Sequence, residues 1–377
     1  MPHGKIINKS IMFKNVYNGK KVLITGNTGF KGSWLSLWLM KLGAKVVGIS
    51  KDIPTSPSMF SDFIADKVKW YENNICDLAN LKKIIDEEKP DFIFHLAAQA
   101  IVSTSYSNPI ETIQSNVIGT TNLLEVLRSY NDRCIAIFIT SDKCYDNVEW
   151  VWGYRETDGL GGKDIYSGSK GAAELIIKSY INSFFINEHN VKIGVGRAGN
   201  VIGGGDWAKD RIIVDIVKAW SENKKVEIRS PNATRPWQHV LEPLSGYLLL
   251  GEQIANMSSE VNQGDQFNFG PKAEQNRTVL EIVKALSFNW NFKNTDDSYI
   301  ITDNIKFKES SLLKLNCDKA LNILKWESNL EYKETMKLVS DWYYNYFNAN
   351  VDMFKFTLNQ ITEFENIAIE RNKSWIQ

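Results

Sequence analysis

The sequence is poor in the residues that mark metal-binding and disulfide-bonded proteins. Its 377 residues include four cysteines and four histidines, and no two cysteines form a Cys-x-x-Cys pair. This spacing argues against both a zinc site and a disulfide framework, so no metal is expected. Because free thiols are typical of a reducing compartment, a cytoplasmic location is predicted.

A net charge and a long apolar run are also missing. The 44 Lys and Arg residues balance the 44 Asp and Glu residues, so no overall field favours nucleic acid or an anionic membrane. The longest apolar stretch, residues 92–102, falls far short of the roughly 20 residues that span a bilayer. Residues 1–5 do not begin an apolar leader, so we expect neither export nor membrane insertion. Any anionic ligand must be bound by local cations.

The pattern of apolar and helical segments is that of a large α/β protein. A chain of 377 residues exceeds the roughly 250–300 residues that one hydrophobic core supports. In the first half, short apolar runs alternate with helical patterns, and residues 134–140 are apolar without alternation. Such runs are typical of strands covered by helices on both faces. The sequence therefore predicts a doubly wound parallel α/β sheet of the Rossmann type, with a smaller, partly interleaved C-terminal substrate domain.

The predicted domain boundaries follow from a change of pattern after Gly203-Gly204-Gly205. We expect a nucleotide-binding domain at residues 15–202 with a return segment near 236–270, and a substrate-binding domain at 203–235 and 271–347. Residues 348–377 are expected to form a peripheral appendage.

A glycine-rich turn lies between the first predicted strand and an amphipathic helix. Gly26 suits a tight turn, Gly29 lets a pyrophosphate approach the backbone, and Gly32 permits close contact between helix and strand. The helix N-terminus adds unpaired N–H donors and a partial positive charge. The strand before the turn and the helix after it favour a dinucleotide site over an ordinary glycine-rich turn.

The residue that would bind the adenosine ribose is less well marked. The second predicted strand ends without an acid directly after its apolar run, so the ribose ligand is missing or displaced to Asp52. The choice between NAD and NADP is therefore open at this point. Asp77, which follows the apolar Ile75, is a candidate for contact with the adenine, and a solvated loop carboxylate is the alternative.

Tyr166 and Lys170 lie four residues apart at the start of a predicted helix, hence on one face. A cation beside a phenol lowers the pKa of the phenol, and the phenolate can then take a hydroxyl proton during hydride transfer. Tyr17 and Lys21 have the same spacing but precede the glycine loop, where solvated side chains are expected. Tyr166 is favoured because it follows a predicted strand of a parallel sheet, and ligands collect at the carboxyl ends of such strands.

The end of that strand carries a hydroxyl, a carboxyl and an amine in Ser141, Asp142 and Lys143. Beside a nicotinamide they are candidates for acid–base chemistry, and ordinary loop residues are the alternative. Asn200 and the cations Arg211 and Arg235 come later in the chain, and guanidinium groups suit diphosphates. Surface ion pairs are the alternative for each arginine.

Together these motifs resemble those of the CDP-glucose 4,6-dehydratases, a family of extended short-chain dehydrogenases/reductases. The resemblance covers most of residues 15–347. It rests on the segments TGNTGFKGSWLSLWL, HLAAQAIVSTSY, TSDKCYDN, YSGSKGAAEL, RAGNVIGGGDW and RPWQHVLEPLSGYLLL. The glycine loop and the Tyr/Lys pair are shared by the whole superfamily, whereas TSDKCY, GNVIGGGDW and RPWQHV are specific to a narrow branch.

The resemblance implies a lyase that uses tightly held NAD to oxidise C4 of CDP-glucose, eliminate water across C5 and C6, and return the hydride to C6. By position, Tyr166 would be the base at O4, and Lys170 would bind the ribose and tune Tyr166. Ser141 would hydrogen-bond the hydroxyl, Asp142 would protonate the departing C6 hydroxyl, and Lys143 would remove the C5 proton.

The resemblance also assigns binding residues. The cofactor would contact the glycine loop and the residues Thr28, Phe30, Asp77, Leu96, Ala97 and Ala98, and the nucleotide diphosphate would contact Asn200, Arg211 and Arg235. A homodimer or homotetramer is a further implication. One departure is Ser103, which stands where relatives commonly carry an arginine after Pro-Leu-Val, so a cation near the substrate is lost.

Three other functions stay open at this stage. A UDP-N-acetylglucosamine 4,6-dehydratase would differ in substrate, and a C4 epimerase would give a product of unchanged mass. A nucleotide-sensing binding protein would keep the fold without turnover.

Overall fold

The computed structural model describes residues 11–186, 189–272, 275–290, 292–302 and 313–377. Its strands are, in chain order, β1 (Lys21–Thr25), β2 (Lys45–Ser50), β3 (Lys69–Glu72), β4 (Phe92–His95), β5 (Cys134–Ser141), β6 (Val191–Ala198), β7 (Val201–Ile202), β8 (Val226–Ile228), β9 (Thr234–Pro236), β10 (Gln238–His239), β11 (Gln266–Phe269), β12 (Asn276–Thr278) and β13 (Tyr299–Ile301). Seven of them form one sheet in the order β11-β6-β5-β4-β1-β2-β3, and every neighbouring pair in it is parallel.

Helices cover both faces of this sheet. They are α1 (Phe30–Lys41), α2 (Met59–Phe63), α3 (Leu78–Glu88), α4 (Val102–Ser107), α5 (Pro109–Ile113), α6 (Gly119–Arg128), α7 (Ile165–Phe184), α8 (Ile212–Ser221), α9 (Leu241–Ala255), α10 (Val279–Asn289), α11 (Tyr332–Asn348) and α12 (Met353–Glu370). A π-helical turn, Gln114–Ile118, lies between α5 and α6. Across the described ranges, no helix has both the length and the apolar character needed to cross a membrane.

The alternation of side chains along the strands creates two cores, one on each face of the sheet. Val22 and Ile24 of β1 pack in the cluster that contains Trp34 of α1, whereas Leu23 packs in the cluster that contains Leu124 of α6 and Ile177 of α7. Successive residues of a strand point to opposite faces, so a strand buried on both faces is apolar at every position. The predicted doubly wound parallel sheet is confirmed.

The strand order places a crevice between β1 and β4. The chain runs outward from β1 to β2 and β3, and then returns to the other side of β1 with β4. The loops that follow β1 and β4 therefore diverge at the carboxyl edge of the sheet, where ligands bind in open α/β folds.

The later part of the chain alternates between this sheet and smaller ones. Residues 241–269 return to it through α9 and through β11, which pairs with β6. The two-stranded sheets β8–β13 and β9–β12 lie in the segments expected to form the substrate domain. Within those segments, residues 273–274, 291 and 303–312 lie outside the described residues.

The C-terminal residues 348–377 differ from the expected peripheral appendage, because α12 packs into the core. Its Ile361, Phe364 and Ala368 are fully buried, and their spacing places them on one face of the helix. Trp375 stacks on Phe13 with ring centres 5.0 Å apart. The segment therefore completes the core beside α1.

Tyr17 also differs from expectation, since it is a core residue and not a solvated one. Its ring is buried and lies 4.8 Å from the ring of Phe92. Its hydroxyl donates to the carbonyl of Leu248 at 2.6 Å. The spacing Tyr17-x-x-x-Lys21 thus belongs to a structural tyrosine.

Candidate active site

The glycine loop joins β1 to α1 through contacts that leave no room for side chains. Gly26 has φ +76°, and a Cβ at this position would lie 2.8 Å from the backbone N of Ala97. A Cβ on Gly32 would lie 2.1 Å from the carbonyl O of Gly26. Gly29 is different, because its added Cβ would meet the described residues only at 3.4 Å. The backbone is thus open at Gly29, where α1 begins without a side-chain cap and its N–H groups suit an anion.

The end of β2 carries hydroxyl groups near the loop. The Oγ of Ser50 donates to Oδ1 of Asn27 at 2.8 Å and accepts from the backbone N of Thr28 at 3.3 Å. The Oγ1 of Thr28 donates to the carbonyl of Asp52 at 2.7 Å, whereas the Asp52 side chain is exposed. A serine therefore stands at the strand end where a ribose-binding acid is common.

Two other groups of predicted cofactor residues lie in different surroundings. Leu96 and Ala97 follow β4 and donate their backbone N–H groups to the carbonyl and Oγ1 of Thr25, so they lie against the glycine loop. Ala98 is the next residue of the chain, and its contact with a cofactor stays a prediction. Asp77 is exposed and caps α3, with its carboxylate accepting from the N and Nδ2 of Asn80 at 3.1 and 2.7 Å. Its contact with an adenine stays a prediction.

Tyr166 and Lys170 lie on one face of α7 and are both buried. The helix starts at Ile165 because the carboxylate of Asp164 caps it by accepting from the backbone N of Ser167 at 2.9 Å. The Nζ of Lys170 lies 5.8 Å from the centre of the Tyr166 ring. The Tyr/Lys spacing thus brings the two groups together as predicted.

The pKa of Tyr166 differs in direction from the prediction. Burial raises it to about 12, and the opposing groups are the guanidinium of Arg211 and a hydrogen bond with Ser141. Burial also lowers the pKa of Lys170 to about 8, assisted by repulsion from Lys31. For the protein alone, the penalty for burying a phenolate therefore outweighs the effect of the nearby cations on the pKa of Tyr166.

The acid–base candidates form a tight turn at the end of β5. The Oγ of Ser141 donates to Oδ1 of Asp142 at 2.9 Å and accepts from the backbone N of Lys143 at 3.2 Å. Asp142 is buried, and a Cβ on Gly199 would lie 3.1 Å from its Oδ2. Because Ser141 also bonds Tyr166, the turn and the start of α7 form one site.

The predicted substrate residues occupy three different segments. Arg211 precedes α8, and its Nη2 lies 3.4 Å from the carbonyl of Ala100. Asn200 is half-buried in the link between β6 and β7. Arg235 lies on β9, where its Nη1 donates to the carbonyl of Thr234 at 2.9 Å. The guanidinium of Arg211 acts electrostatically on the Tyr166 phenol, so Arg211 belongs to the same candidate site. The assignment of all three residues to a diphosphate stays a prediction.

Ser103, where the resemblance led us to expect an arginine, is the second residue of α4. Its Oγ donates to Oδ2 of Asp210 at 2.6 Å. Helix α4 is thereby tied to the residue that precedes Arg211.

Lys31 is a site residue that the sequence reasoning missed. It is the second residue of α1 and is electrostatically coupled to Arg211, Asp142 and Asp206. Burial, and then repulsion from Arg211, lower its pKa to about 8. The sequence does contain a clue to this role, since Lys31 lies between Gly29 and Gly32 of the glycine motif. A lysine is unusual at a helix N-terminus because the helix dipole disfavours a cation there.

Asn116 was also missed. It is buried in the π-helical turn, where its Oδ1 accepts from the backbone N of Gln99 at 2.8 Å. Its Nδ2 donates to Oγ of Ser169 at 2.9 Å, so it joins the loop after β4 to α7. A π-helical turn is often found at functional sites, but the apolar periodicity of the sequence indicates only a continuous helix.

Comparisons with known proteins agree with this arrangement. The sequence profile of the GDP-mannose 4,6 dehydratase family matches residues 23–339. The chain is 45% identical to a CDP-glucose 4,6-dehydratase of Salmonella typhimurium over 335 residues, which cover 88% of this chain and 92% of the relative.

Solved structures share the fold. A UDP-glucose 4-epimerase of Thermotoga maritima with UDP-glucose gives a TM-score of 0.73 at 22% identity, over 87% of this chain and all of that one. A dTDP-glucose 4,6-dehydratase of Bacillus anthracis in complex with NAD gives 0.70 at 20% identity, over 88% of this chain and 97% of that one. With the family profile and the 45% identity, these findings show that the chain belongs to the GDP-mannose 4,6-dehydratase family of extended short-chain dehydrogenases/reductases.

Proposed function

We propose that this chain is an NAD-dependent CDP-glucose 4,6-dehydratase that converts CDP-glucose to CDP-4-keto-6-deoxyglucose. The observation that carries the proposal is the turn of Ser141, Asp142 and Lys143 next to Tyr166 and Lys170 at the carboxyl edge of the sheet. The 45% identity to a CDP-glucose 4,6-dehydratase supports this choice of substrate.

The residues present fit a dinucleotide. The backbone of the loop is open at Gly29, and the adjacent helix N-terminus suits a diphosphate. Leu96 and Ala97 border the loop, Ala98 follows them, and Lys170 would bind the ribose. A nicotinamide bound there would supply reversible hydride transfer, from C4 of the hexose in the oxidation and to C6 after the elimination.

The side chains of the protein then move the protons. Tyr166 takes the proton of the C4 hydroxyl as a phenolate, the form that the ammonium of Lys170 and the positive charge of an oxidised nicotinamide would favour against burial. Ser141 bonds to the same hydroxyl. The C4 ketone weakens the C5–H bond, so Lys143 can remove that proton while its electron pair forms the C5–C6 double bond. The C6–O bond breaks as Asp142 protonates the departing hydroxyl, which leaves as water. After the hydride returns to C6, Lys143 gives its proton back to C5, and the proton held by Tyr166 replaces the one that Asp142 gave to the water. The net change is the loss of one water with no net oxidation.

Product mass tests this assignment directly. The protein would be incubated with NAD and, separately, with CDP-, dTDP-, UDP- and GDP-glucose and UDP-N-acetylglucosamine. We expect CDP-glucose alone to lose one water at a substantial rate. Loss of water only from another substrate would reassign the enzyme to that substrate, and a product of unchanged mass would indicate an epimerase. No reaction with any of them would contradict the proposal.

Arg235→Met is expected to weaken binding of CDP-glucose and CDP by about 10–100-fold, because one charge-assisted hydrogen bond contributes roughly 1.5–3 kcal/mol. NAD affinity should stay unchanged. Isothermal titration calorimetry measures both. The matched control is Arg229→Met, since Arg229 is exposed on the same segment, and equal affinities in the two variants would remove Arg235 from the substrate site.

Gly32→Ala is expected to distort the glycine loop, since the new Cβ would lie 2.1 Å from the carbonyl O of Gly26. Overpacking of this kind costs about 1–3 kcal/mol of the free energy of unfolding, and NAD affinity should fall with it. Thermal unfolding and NAD titration check both effects. Gly159→Ala is the control because no atom of the described residues lies within 4 Å of its added Cβ. Unaltered NAD binding in Gly32→Ala would contradict the assigned role of the loop.

Self-association into a homodimer or homotetramer is part of the proposal. Ile110 on α5 is 66% exposed and Leu175 on α7 is 53% exposed, and α5 packs against α7. Exposed apolar side chains on adjoining helices favour a subunit interface. Light scattering after size-exclusion chromatography tests it, and a monomer at micromolar concentration would contradict it.

A further inference from the structure

A buried ion pair lies directly beneath the candidate site. Arg197 of β6 donates from Nε and Nη2 to the two carboxylate oxygens of Glu174, both at 2.8 Å, and each side chain is 2% exposed. Glu174 lies one turn beyond Lys170 on α7. Two parallel hydrogen bonds shielded from water fix the relative position of two charged groups far better than a surface pair does.

Both ends of the acid–base turn are attached to this ion pair. Thr140, the residue before Ser141, donates from Oγ1 to Oε1 of Glu174. Tyr145 follows the short helical turn Asp142–Cys144, and its hydroxyl accepts from Nη1 of Arg197 at 2.8 Å. The residues that flank Asp142 and Lys143 are therefore held by one rigid pair.

The Tyr145 attachment continues to the edge of the sheet. The Tyr145 hydroxyl donates to Oδ1 of Asn268 on β11 at 2.8 Å. The Nδ2 of Asn268 in turn donates to the backbone carbonyls of Tyr154 and Asn316 at 2.9 and 3.0 Å. Tyr145 and Asn268 are buried, so the turn is fixed from the side of β11 as well as from α7.

We infer that the Glu174–Arg197 pair, acting through Thr140 and Tyr145, positions Asp142 and Lys143 for the elimination of water. Tyr166 and Lys170 are carried by α7 itself, so the oxidation at C4 depends on these attachments through the Ser141 hydroxyl alone, whereas the elimination depends on them through both Asp142 and Lys143. This inference rests on the proposed function. Thr140 and Tyr145 are positioning residues, and their effect comes from the steep dependence of proton transfer on geometry.

Tyr145→Phe and Thr140→Val test the inference, because each removes one hydroxyl and keeps both the side-chain volume and the ion pair. The matched control is Tyr154→Phe. The Tyr154 ring stacks on Tyr145 at 5.2 Å, but its hydroxyl bonds residues of the nearby loop, among them Asn147 and Val148. Each variant would be assayed for water loss, for CDP-glucose affinity, for thermal unfolding, and for isotope effects with substrate deuterated at C4 or at C5.

In Tyr145→Phe and Thr140→Val, water loss should slow by about 10–100-fold, the cost of a displacement of up to about 1 Å. The isotope effect at C5 should rise and that at C4 should fall, because elimination becomes more strongly rate-limiting. CDP-glucose affinity in these variants, and every property of Tyr154→Phe, should stay within about threefold of the unaltered protein.

A higher isotope effect at C4, an unchanged rate, or an equal effect of Tyr154→Phe would overturn the positioning role while leaving the proposed function intact. Failure of the unaltered protein to dehydrate CDP-glucose would instead overturn the proposed function, and this inference with it.

Discussion

Replacing Tyr166 by phenylalanine is expected to reduce turnover of CDP-glucose by at least about 10³–10⁴-fold, near the upper end of what one positioned acid–base group supplies. The hydroxyl of Tyr166 is the proposed acceptor of the O4 proton, and the ring left behind has no atom that can take its place. The phenol is buried and bonded to Ser141, so its loss removes a preorganised contact. Mass analysis of the product over time measures the effect.

The chain supplies a matched control for this variant in Tyr17. Tyr17 and Lys21 repeat the Tyr-x-x-x-Lys spacing, but the Tyr17 hydroxyl donates to a backbone carbonyl in the core. Tyr17→Phe should therefore lower the free energy of unfolding by about 0.5–1.5 kcal/mol, the net contribution of one hydrogen bond, and leave the rate per folded molecule unchanged. Turnover of Tyr166→Phe within tenfold of the unaltered protein would contradict the proposed role of the phenol.

Lys143→Ala should slow the uptake of solvent deuterium at C5 by about 10²–10⁴-fold, the usual contribution of a positioned base. The affinities for NAD and CDP-glucose should be retained, because the proposed role of Lys143 is to move a proton and not to bind the nucleotide. Nuclear magnetic resonance of the sugar in deuterated buffer follows the exchange. Lys192→Ala is the control, since Lys192 is exposed at the opposite, amino end of β6.

Near-normal exchange in Lys143→Ala would remove Lys143 from the role of base. Lys31 is the next candidate for the base that removes the C5 proton. Lys31 is coupled to Asp142, and its pKa is lowered to about 8, so a fraction of its amine is neutral near pH 7. Exchange lost in Lys31→Met but kept in Lys143→Ala would transfer the assignment to Lys31.

Sequence patterns predicted the parts of the fold that are determined by residues close together in the chain. The run Val22 to Thr25 followed by Gly26 and Gly32 specifies β1, the loop and α1, because burial and backbone clearance are both local at these positions. The same holds for α7, where Asp164 caps a helix that carries Tyr166 and Lys170 in successive turns. Lys170 could be placed beside Tyr166 for this reason.

The parts that sequence patterns missed depend on contacts between distant segments. Glu174 and Arg197 are 23 positions apart and belong to different elements, so neither the helical nor the strand pattern marks them as a pair. The pKa of Tyr166 was predicted in the wrong direction because local spacing shows the nearby cation and not the depth of burial. The expected appendage at residues 348–377 is part of the core for a similar reason, since its partner helix α1 lies more than 300 residues earlier in the chain.

In the proposed reaction, the hydrogen removed from C4 of the hexose is the one delivered to C6. CDP-glucose deuterated at C4 tests it most directly, with the product examined by mass spectrometry and nuclear magnetic resonance. Deuterium at C6 of a product that has lost one water is the predicted result. A dehydrated product whose C6 carries no deuterium would contradict the account.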